Sequence, residues 1–403
     1  MISSESSDSE VEHVARAAAD KTKKAVKRTR DEAAAPSSTN AKDEAKTEKS
    51  RDEILLERQA RRKQKKSEKV AAREQVKQEA EARATEERRT KGRFFTVSIA
   101  IPGSIIDNAQ TRELKTYLAG QIARACAIFQ VDEVVVFDDQ LGKKANEQDA
   151  TKKYNNPHDC HVFLGRILQY LETPQYLRKA LFPVHNDLKY AGLLNPLDCP
   201  HHMRGDVWSE YREGVVVDQP LKEKQGSHVN VGLQKFAVID KHLQPGVRVT
   251  VKLDETSKEK KKLAGVVVSP AEPREQKGTY WGYTMRFATS ISKVWEESPY
   301  KNGYDLKIGT SERGNVSVDD ADFKLPSFEH VLIVFGGVSG IEECTTADET
   351  IAVDGDAAHT LFDMWVNTCP EQGSRTIRSE EAILISMSAL RPHLSRNQVG
   401  GRR

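Results

Sequence analysis

Val331–Gly340, VLIVFGGVSG, decides the reading of the fold, together with its sequel Phe362–Leu390, FDMWVNTCPEQGSRTIRSEEAILISMSAL. The apolar run Val331–Phe335 stops at two glycines. Such a run fits a strand of a parallel sheet, covered on both faces. Gly336 and Gly337 let the chain turn sharply and let a ligand approach the backbone. A second short apolar piece, Met364–Val366, leads into a loop, Asn367–Arg378, rich in small and polar residues. That loop enters a predicted helix with Ser379 as N-cap, Glu380 and Glu381 in the first turn, and an apolar face through Ile383, Leu384, Met387 and Leu390. Two such strand-to-loop junctions lying side by side make a pocket at the carboxyl ends of a sheet, where α/β proteins bind ligands.

By itself FGGVSG is a weak signal, because a Gly-rich loop after a strand can cradle any nucleotide. It lacks the GxGxxG pattern, and no GxxxxGK[ST] occurs in the chain, so dinucleotide and P-loop routes are unsupported.

Three motifs together are more specific. FGGVSG, VNTCPEQGSRTIRSEEAILIS and, upstream, YDLKIGTSERG (Tyr304–Gly314) resemble the SPOUT-class methyltransferases, and most closely their eukaryotic and archaeal RNA methyltransferase family. The resemblance runs from Arg93 to about Leu390. It implies an α/β sheet whose C-terminal segment is threaded into a trefoil knot that builds an S-adenosylmethionine pocket. Knots are rare exceptions to general topology rules, so no periodicity argument leads to one. It also implies a homodimer formed through the knot and an RNA substrate that meets both subunits.

Carried onto this sequence, the resemblance puts Gly336 and Gly337 on one wall of the pocket. Asn367, Thr368, Cys369, Gln372 and Gly373 form the other. Thr310 and Arg313 come from the third loop, with Arg313 near the transferable methyl group. Cys369 can also be read as a nucleophile. No His or Asp is positioned by sequence to lower its pKa, and the class transfers methyl groups directly, so it is assigned to the wall. Ser374, Arg375 and Arg378 are suited to gripping RNA, since Arg makes bidentate contacts to phosphate and base edges. Arg375 has a second reading, bracing the knot through backbone carbonyls. Arg313 has one as a surface residue paired with Glu312. Arg313 and Arg375 are the expected catalytic residues.

The expected reaction is in-line displacement on the donor methyl carbon by a uridine ring nitrogen of ribosomal RNA, driven by orientation and desolvation. Two rivals stand beside it: a catalytically inactive RNA-binding scaffold of ribosome assembly or mitosis, and a pure RNA-binding module.

The remaining chain is heterogeneous. Over 403 residues the net charge is +2, so no global acidic or basic signature exists. Residues 1–92 contain no Phe, Trp or Tyr, and 24 Lys/Arg stand against 19 Asp/Glu. A segment this polar buries too little apolar surface to offset the entropy of ordering. Met1–Ser50 is expected to be disordered, and Asp52–Arg89, free of Gly and Pro, to be disordered or a solvated helix. The basic clusters Lys21–Arg30 and Arg61–Lys66 serve either nuclear import and phosphate contact or merely a solvated arm. The expected location is the nucleus, with the nucleolus as the finer expectation and the cytoplasm as the alternative. Five cysteines without a CxxC fit a reducing compartment. No apolar run is long enough to span a membrane, and none is expected to.

Arg93–Ile101 and Val134–Phe137 read as strands around a helix, Glu113–Phe129, a parallel α/β unit. Asp138 and Asp139 after the second strand either hold a metal or, the favoured reading, cap and solvate a turn. Gly142–Asn156 reads as a polar loop. In Asn195–Arg204, NPLDCPHHMR, the residues Cys199, His201 and His202 are zinc-competent types. Adjacent histidines rarely point at one ion, so no metal is expected. From Gly205 to Gly278 about five short β-rich runs alternate with turn residues and predict a small barrel inserted into the α/β domain of 93–204 and 279–403. By the family resemblance the insert is OB-like. Its basic loop, with Lys260, Lys261 and Lys262, is expected to bind RNA. The alternative is a β insert that only braces the sheet or dimer.

Overall fold

A computed structural model describes residues 92–139, 160–219, 226–337 and 339–400, with side-chain surroundings described as far as residue 397. All of them belong to one compact unit, Gln78–Arg403. The charged arm and the expected polar loop Gly142–Asn156 lie outside the described residues.

The strands, in chain order, are β1 (Thr96–Pro102), β2 (Glu133–Phe137), β3 (Tyr211–Val217), β4 (His228–Asn230), β5 (Ala237–Val238), β6 (Arg248–Leu253), β7 (Leu263–Val268), β8 (Thr284–Ala288), β9 (Leu306–Thr310), β10 (Val316–Ser317), β11 (His330–Val334) and β12 (Met364–Asn367). The α-helices are α1 (Arg112–Ile128), α2 (Cys160–Glu172), α3 (Gln175–Leu181), α4 (Glu272–Lys277), α5 (Ile291–Glu296), α6 (Gly340–Thr346) and α7 (Ser379–Gly400).

Seven strands form one parallel sheet in the order β10-β12-β9-β11-β1-β2-β8. Its central strands are apolar on both faces, and each face has its own core. Ile99, Ile101, Val134, Ile308 and Ile333 pack with Ile122, Leu164, Leu168 and Met387 of α1, α2 and α7. Ala100, Val135, Leu332 and Val334 pack with Ile291, Val294, Ile341 and Cys344 of α5 and α6. This double burial is why VLIVF reads as a continuous apolar run and not an alternating one.

The remaining five strands close a barrel in the order β3-β4-β5-β7-β6, with β5 and β7 paired in parallel and the other pairs antiparallel. Each strand here turns one face to the barrel interior. Val229, Val231, Ile239, Val251 and Leu253 fill that interior.

Barrel and sheet meet through buried charge. Arg248 at the start of β6 reaches Glu172 at 2.6 Å and Glu213 at 2.7 Å. Trp281 Nε1 donates to Glu213 Oε1 at 2.6 Å, and Thr250 Oγ1 donates to the same oxygen at 2.5 Å. Burial by itself would raise the Glu172 pKa, but the charges and hydrogen bonds of Arg248 and His201 together outweigh it and hold the carboxyl down at about 2.

Candidate active site

The carboxyl ends of β12, β9 and β11 are neighbours, since β9 pairs with β12 on one side and β11 on the other. Three loops separated in sequence therefore leave the sheet at one edge. They carry Thr310 and Arg313, then Gly336 and Gly337, then Asn367, Thr368, Cys369, Gln372 and Gly373.

The loops are tied mainly through backbone groups. Thr310 Oγ1 donates to the Val334 carbonyl at 2.9 Å, joining β9 to β11. Asn367 spans the other pair. Its Nδ2 donates to the Glu312 carbonyl at 3.0 Å, and its Oδ1 accepts from Cys369 N–H at 3.0 Å. Thr368 Oγ1 lies 2.6 Å from Ser386 Oγ on α7, which anchors the third loop to the C-terminal helix. Gln372 Nε2 donates to the Ser374 carbonyl at 3.0 Å.

The two glycines differ. A Cβ at Gly336 would stand 2.5 Å from the Gly340 carbonyl carbon and 2.6 Å from Ile341 N, so only glycine fits against the start of α6. At Gly337 the nearest atoms would be Pro102 Cγ at 3.5 Å, Ser104 Oγ at 3.7 Å and Asp139 Oδ2 at 3.9 Å, ordinary contacts. The left-handed residue of the turn is Gly340, with φ +81°. Packing thus requires Gly336, the backbone requires Gly340, and neither requires Gly337. A Cβ at Gly373 would meet no atom within 4 Å.

Arg313, Arg375 and Arg378 are exposed, and among the described residues their guanidinium groups make no hydrogen bond or ion pair. The Glu312–Arg313 pairing therefore does not form. Arg378 corrects the expected helix start. It holds the N-cap position, accepting from Glu381 N–H at 3.0 Å, while the Glu381 carboxylate accepts from Arg378 N–H at 3.0 Å. Glu381 thus reaches back to the N-cap N–H, one half of a capping box. Ser379, expected as the cap, is the first helical residue, and its hydroxyl donates to the Gly336 carbonyl at 3.2 Å, joining the third loop to the second.

Lys260, Lys261 and Lys262 are exposed in the β6–β7 connection of the barrel and are not part of this strand-end cluster. Lys258 Nζ lies 5.7 Å from the Trp208 ring centroid beside them. Tyr211 of the barrel is buried and donates from its hydroxyl to Glu272.

Residues 96–390 match the family described as "Putative RNA methyltransferase". The chain belongs to this family. The matched span takes in all three loops and the barrel. A 28S rRNA (uridine-N(3))-methyltransferase of Homo sapiens is 55% identical over 326 residues, 80% of this chain and 85% of that protein. One of Drosophila melanogaster is 47% identical over 350 residues, 84% of this chain and 71% of that protein. The SpoU methyltransferase AviRb of Streptomyces viridochromogenes, solved with AdoMet, aligns at 19% identity over 34% of this chain and 46% of that one, with a TM-score of 0.19, and nothing below rests on it.

Beside these loops lies the doubled aspartate expected to cap and solvate a turn, and here it is drawn into a cluster with Ser104 and His161. Asp139 is 2% exposed; one carboxylate oxygen accepts from Ser104 Oγ and the other, Oδ1, is buried without a partner. Burial pushes its pKa up, against the pull of Ser104 and His161. Asp138 pairs with His161 Nε2 at 3.3 Å. Burial would lower the His161 pKa, yet Asp138 and Cys160 outweigh it and hold the imidazole up at about 10. The only local signal was the doubled aspartate; its burial depends on α2, whose first turn supplies His161.

Proposed function

We propose that this chain is an S-adenosylmethionine-dependent methyltransferase acting on N3 of a uridine in large-subunit ribosomal RNA. The observation that carries this is 55% identity, over most of both chains, to a 28S rRNA (uridine-N(3))-methyltransferase.

The loops fit the donor. Gly337 has no packing or backbone reason to be glycine, and a ligand against its face supplies one. Thr310, Gly336, Gly337, Asn367, Thr368, Cys369, Gln372 and Gly373 would hold it, offering backbone donors and acceptors to adenosine. When bound, the donor supplies a methyl group on a sulfonium, which N3 of the uracil displaces in line. The N3–C bond forms, the C–S bond breaks, and the N3 proton leaves to water. Uracil N3 is a poor nucleophile until that proton is lost. Arg313 and Arg375, exposed and uncommitted, place positive charge where the uracil oxygens become anionic. Arg378 adds a phosphate contact.

The finer architecture belongs to the same reading. Asn367 and Ser379 bind the C-terminal segment to both other loops, which supports threading of that segment as a SPOUT trefoil knot. The barrel's strand order, with its parallel β5–β7 pair, supports an OB-like fold whose Lys260–Lys262 loop and Trp208 touch RNA. Tyr117 and Ile128 of α1, Leu193 and Leu384 of α7 are 46–52% exposed around one cleft, a surface for a second copy of the chain. The basic clusters of the arm support a nuclear location, nucleolus included.

The test is transfer of labelled methyl from the donor to total RNA, with nucleoside analysis of RNA from cells with and without the protein. Loss of 3-methyluridine without the protein is expected. Donor binding with no transfer would leave an RNA-binding scaffold.

A further inference from the structure

We propose that Cys199, His201 and His202 form a binding site for a zinc-type divalent cation, where the chain passes from the α/β domain to the barrel. One ligand atom from each residue lies within 4.8 Å of the others. Tetrahedral zinc with sulfur and nitrogen ligands needs spacings of roughly 3.4–3.8 Å, so small side-chain shifts close the site.

Adjacency of the two histidines is no obstacle in this backbone. Asp198 holds a left-handed φ of 53°, and His202 N–H bonds to the Cys199 carbonyl at 2.8 Å. Cys199 and His202 therefore stand at the two ends of one tight turn through Pro200.

A second observation is independent of that grouping. His201 is 1% exposed, and its Nδ1 is buried with no hydrogen-bond partner. Its Nε2 lies 3.0 Å from both the carbonyl and the carboxylate of Glu172. His202 Nε2 lies 2.7 Å from the same carbonyl. Metal-ligating histidines characteristically donate their second ring N–H to a carbonyl or carboxylate, which leaves the lone pair on the other nitrogen. Here both rings meet the Glu172 carbonyl through Nε2, and Glu172 is itself fixed by Arg248.

One thiolate and two imidazoles suit zinc and exclude the hard cations magnesium and calcium. The group Asp138, Asp139 and His161 also brings ligand atoms within 4.8 Å. There Asp138 already engages the imidazole through Nε2, at 3.3 Å.

The experiment uses the full chain, purified without chelator, with metal per chain measured by plasma mass spectrometry. The chelator-stripped chain is then titrated with Co²⁺ as a spectroscopic probe. About one zinc per chain is expected, and a cobalt–thiolate charge-transfer band in the near ultraviolet. Cys199→Ser should abolish that band and lower zinc affinity at least about tenfold. His202→Gln, which keeps a donor to Glu172, should also weaken binding, while Cys160→Ser keeps the band. Near-background zinc together with no cobalt band overturns the proposal, as does a band that survives in folded Cys199→Ser.

Discussion

The barrel junction and the strand-end loops are built on opposite plans. At the junction Glu172, Glu213, Thr250 and Trp281 are buried, and their polar atoms bond to one another and to Arg248. At the loops Arg313, Arg375 and Arg378 reach into solvent with uncommitted charges, while hydroxyls and the Asn367 amide hold the frame, mostly through backbone groups. The difference separates rigidity from recognition. A buried charge satisfied within the protein has nothing left for a ligand, and an uncommitted guanidinium contributes little to folding. Stability and activity should therefore respond to different substitutions.

The largest effect is expected at the junction. Arg248→Ala strands Glu172 and Glu213 as buried carboxylates, which should cost about 3–5 kcal/mol in urea unfolding. Donor affinity of the molecules that remain folded should be unchanged. A loss below about 1 kcal/mol would mean that water replaces the guanidinium and that the junction is not rigid.

Next come the arginines of the third loop. Arg375→Ala or Arg378→Ala should lower single-turnover methylation about ten- to hundredfold, or roughly 1.5–3 kcal/mol, with melting temperature and donor affinity retained. Lysine should restore only part, because it lacks the planar fork. Parallel loss of donor binding would show that these residues hold the loop or the donor and not RNA.

A finer cut lies between adjacent glycines. Gly336→Ala forces a Cβ against the start of α6 and should destabilise by about 1–3 kcal/mol. Gly337→Ala fits at ordinary contact distance, so the fold should stay intact while calorimetry with the demethylated donor shows weaker binding. Equal melting temperatures and equal affinities in both variants would put the donor elsewhere.

The smallest effect concerns pH at the Asp138–His161 pair, where the site's edge borrows the junction's plan. The imidazole pKa is raised in the fold, so its contribution is complete below about 6.5 and is lost as pH rises toward about 10. Asp138→Asn should flatten the alkaline fall in melting temperature between these limits. An identical alkaline slope in the variant would remove the pair from the account of stability.

Much of this architecture is legible in residue order. The doubly buried strands announce themselves as unbroken apolar runs, and the barrel strands as short β-rich runs with turn residues between. Periodicity of this kind is local, so the expected strand Val134–Phe137 and the expected helix Glu113–Phe129 fall within one residue of β2 and α1 at each end. The loop residues around the candidate site are also legible, because glycine, asparagine and arginine carry their chemistry wherever they are placed.

Adjacency is what residue order does not contain. That β12 lies beside β9 and not β11 brings Asn367 to Glu312 across the chain, and no spacing rule encodes it. The doubled aspartate reads as a polar turn until α2 and the β1 loop close over it and bury Asp139 beside Ser104. Ser379 reads as a cap until the Gly336 carbonyl takes its hydroxyl and leaves the cap to Arg378. Cys199, His201 and His202 read as badly spaced ligands until a left-handed Asp198 folds them into one turn. The sequence by itself determined which segments become strands and helices and which loops carry reactive chemistry, because hydrophobic period and side-chain type are properties of short windows. The tertiary structure alone decided which groups are buried and which atoms meet, because both depend on segments that come together only when the whole sheet is assembled.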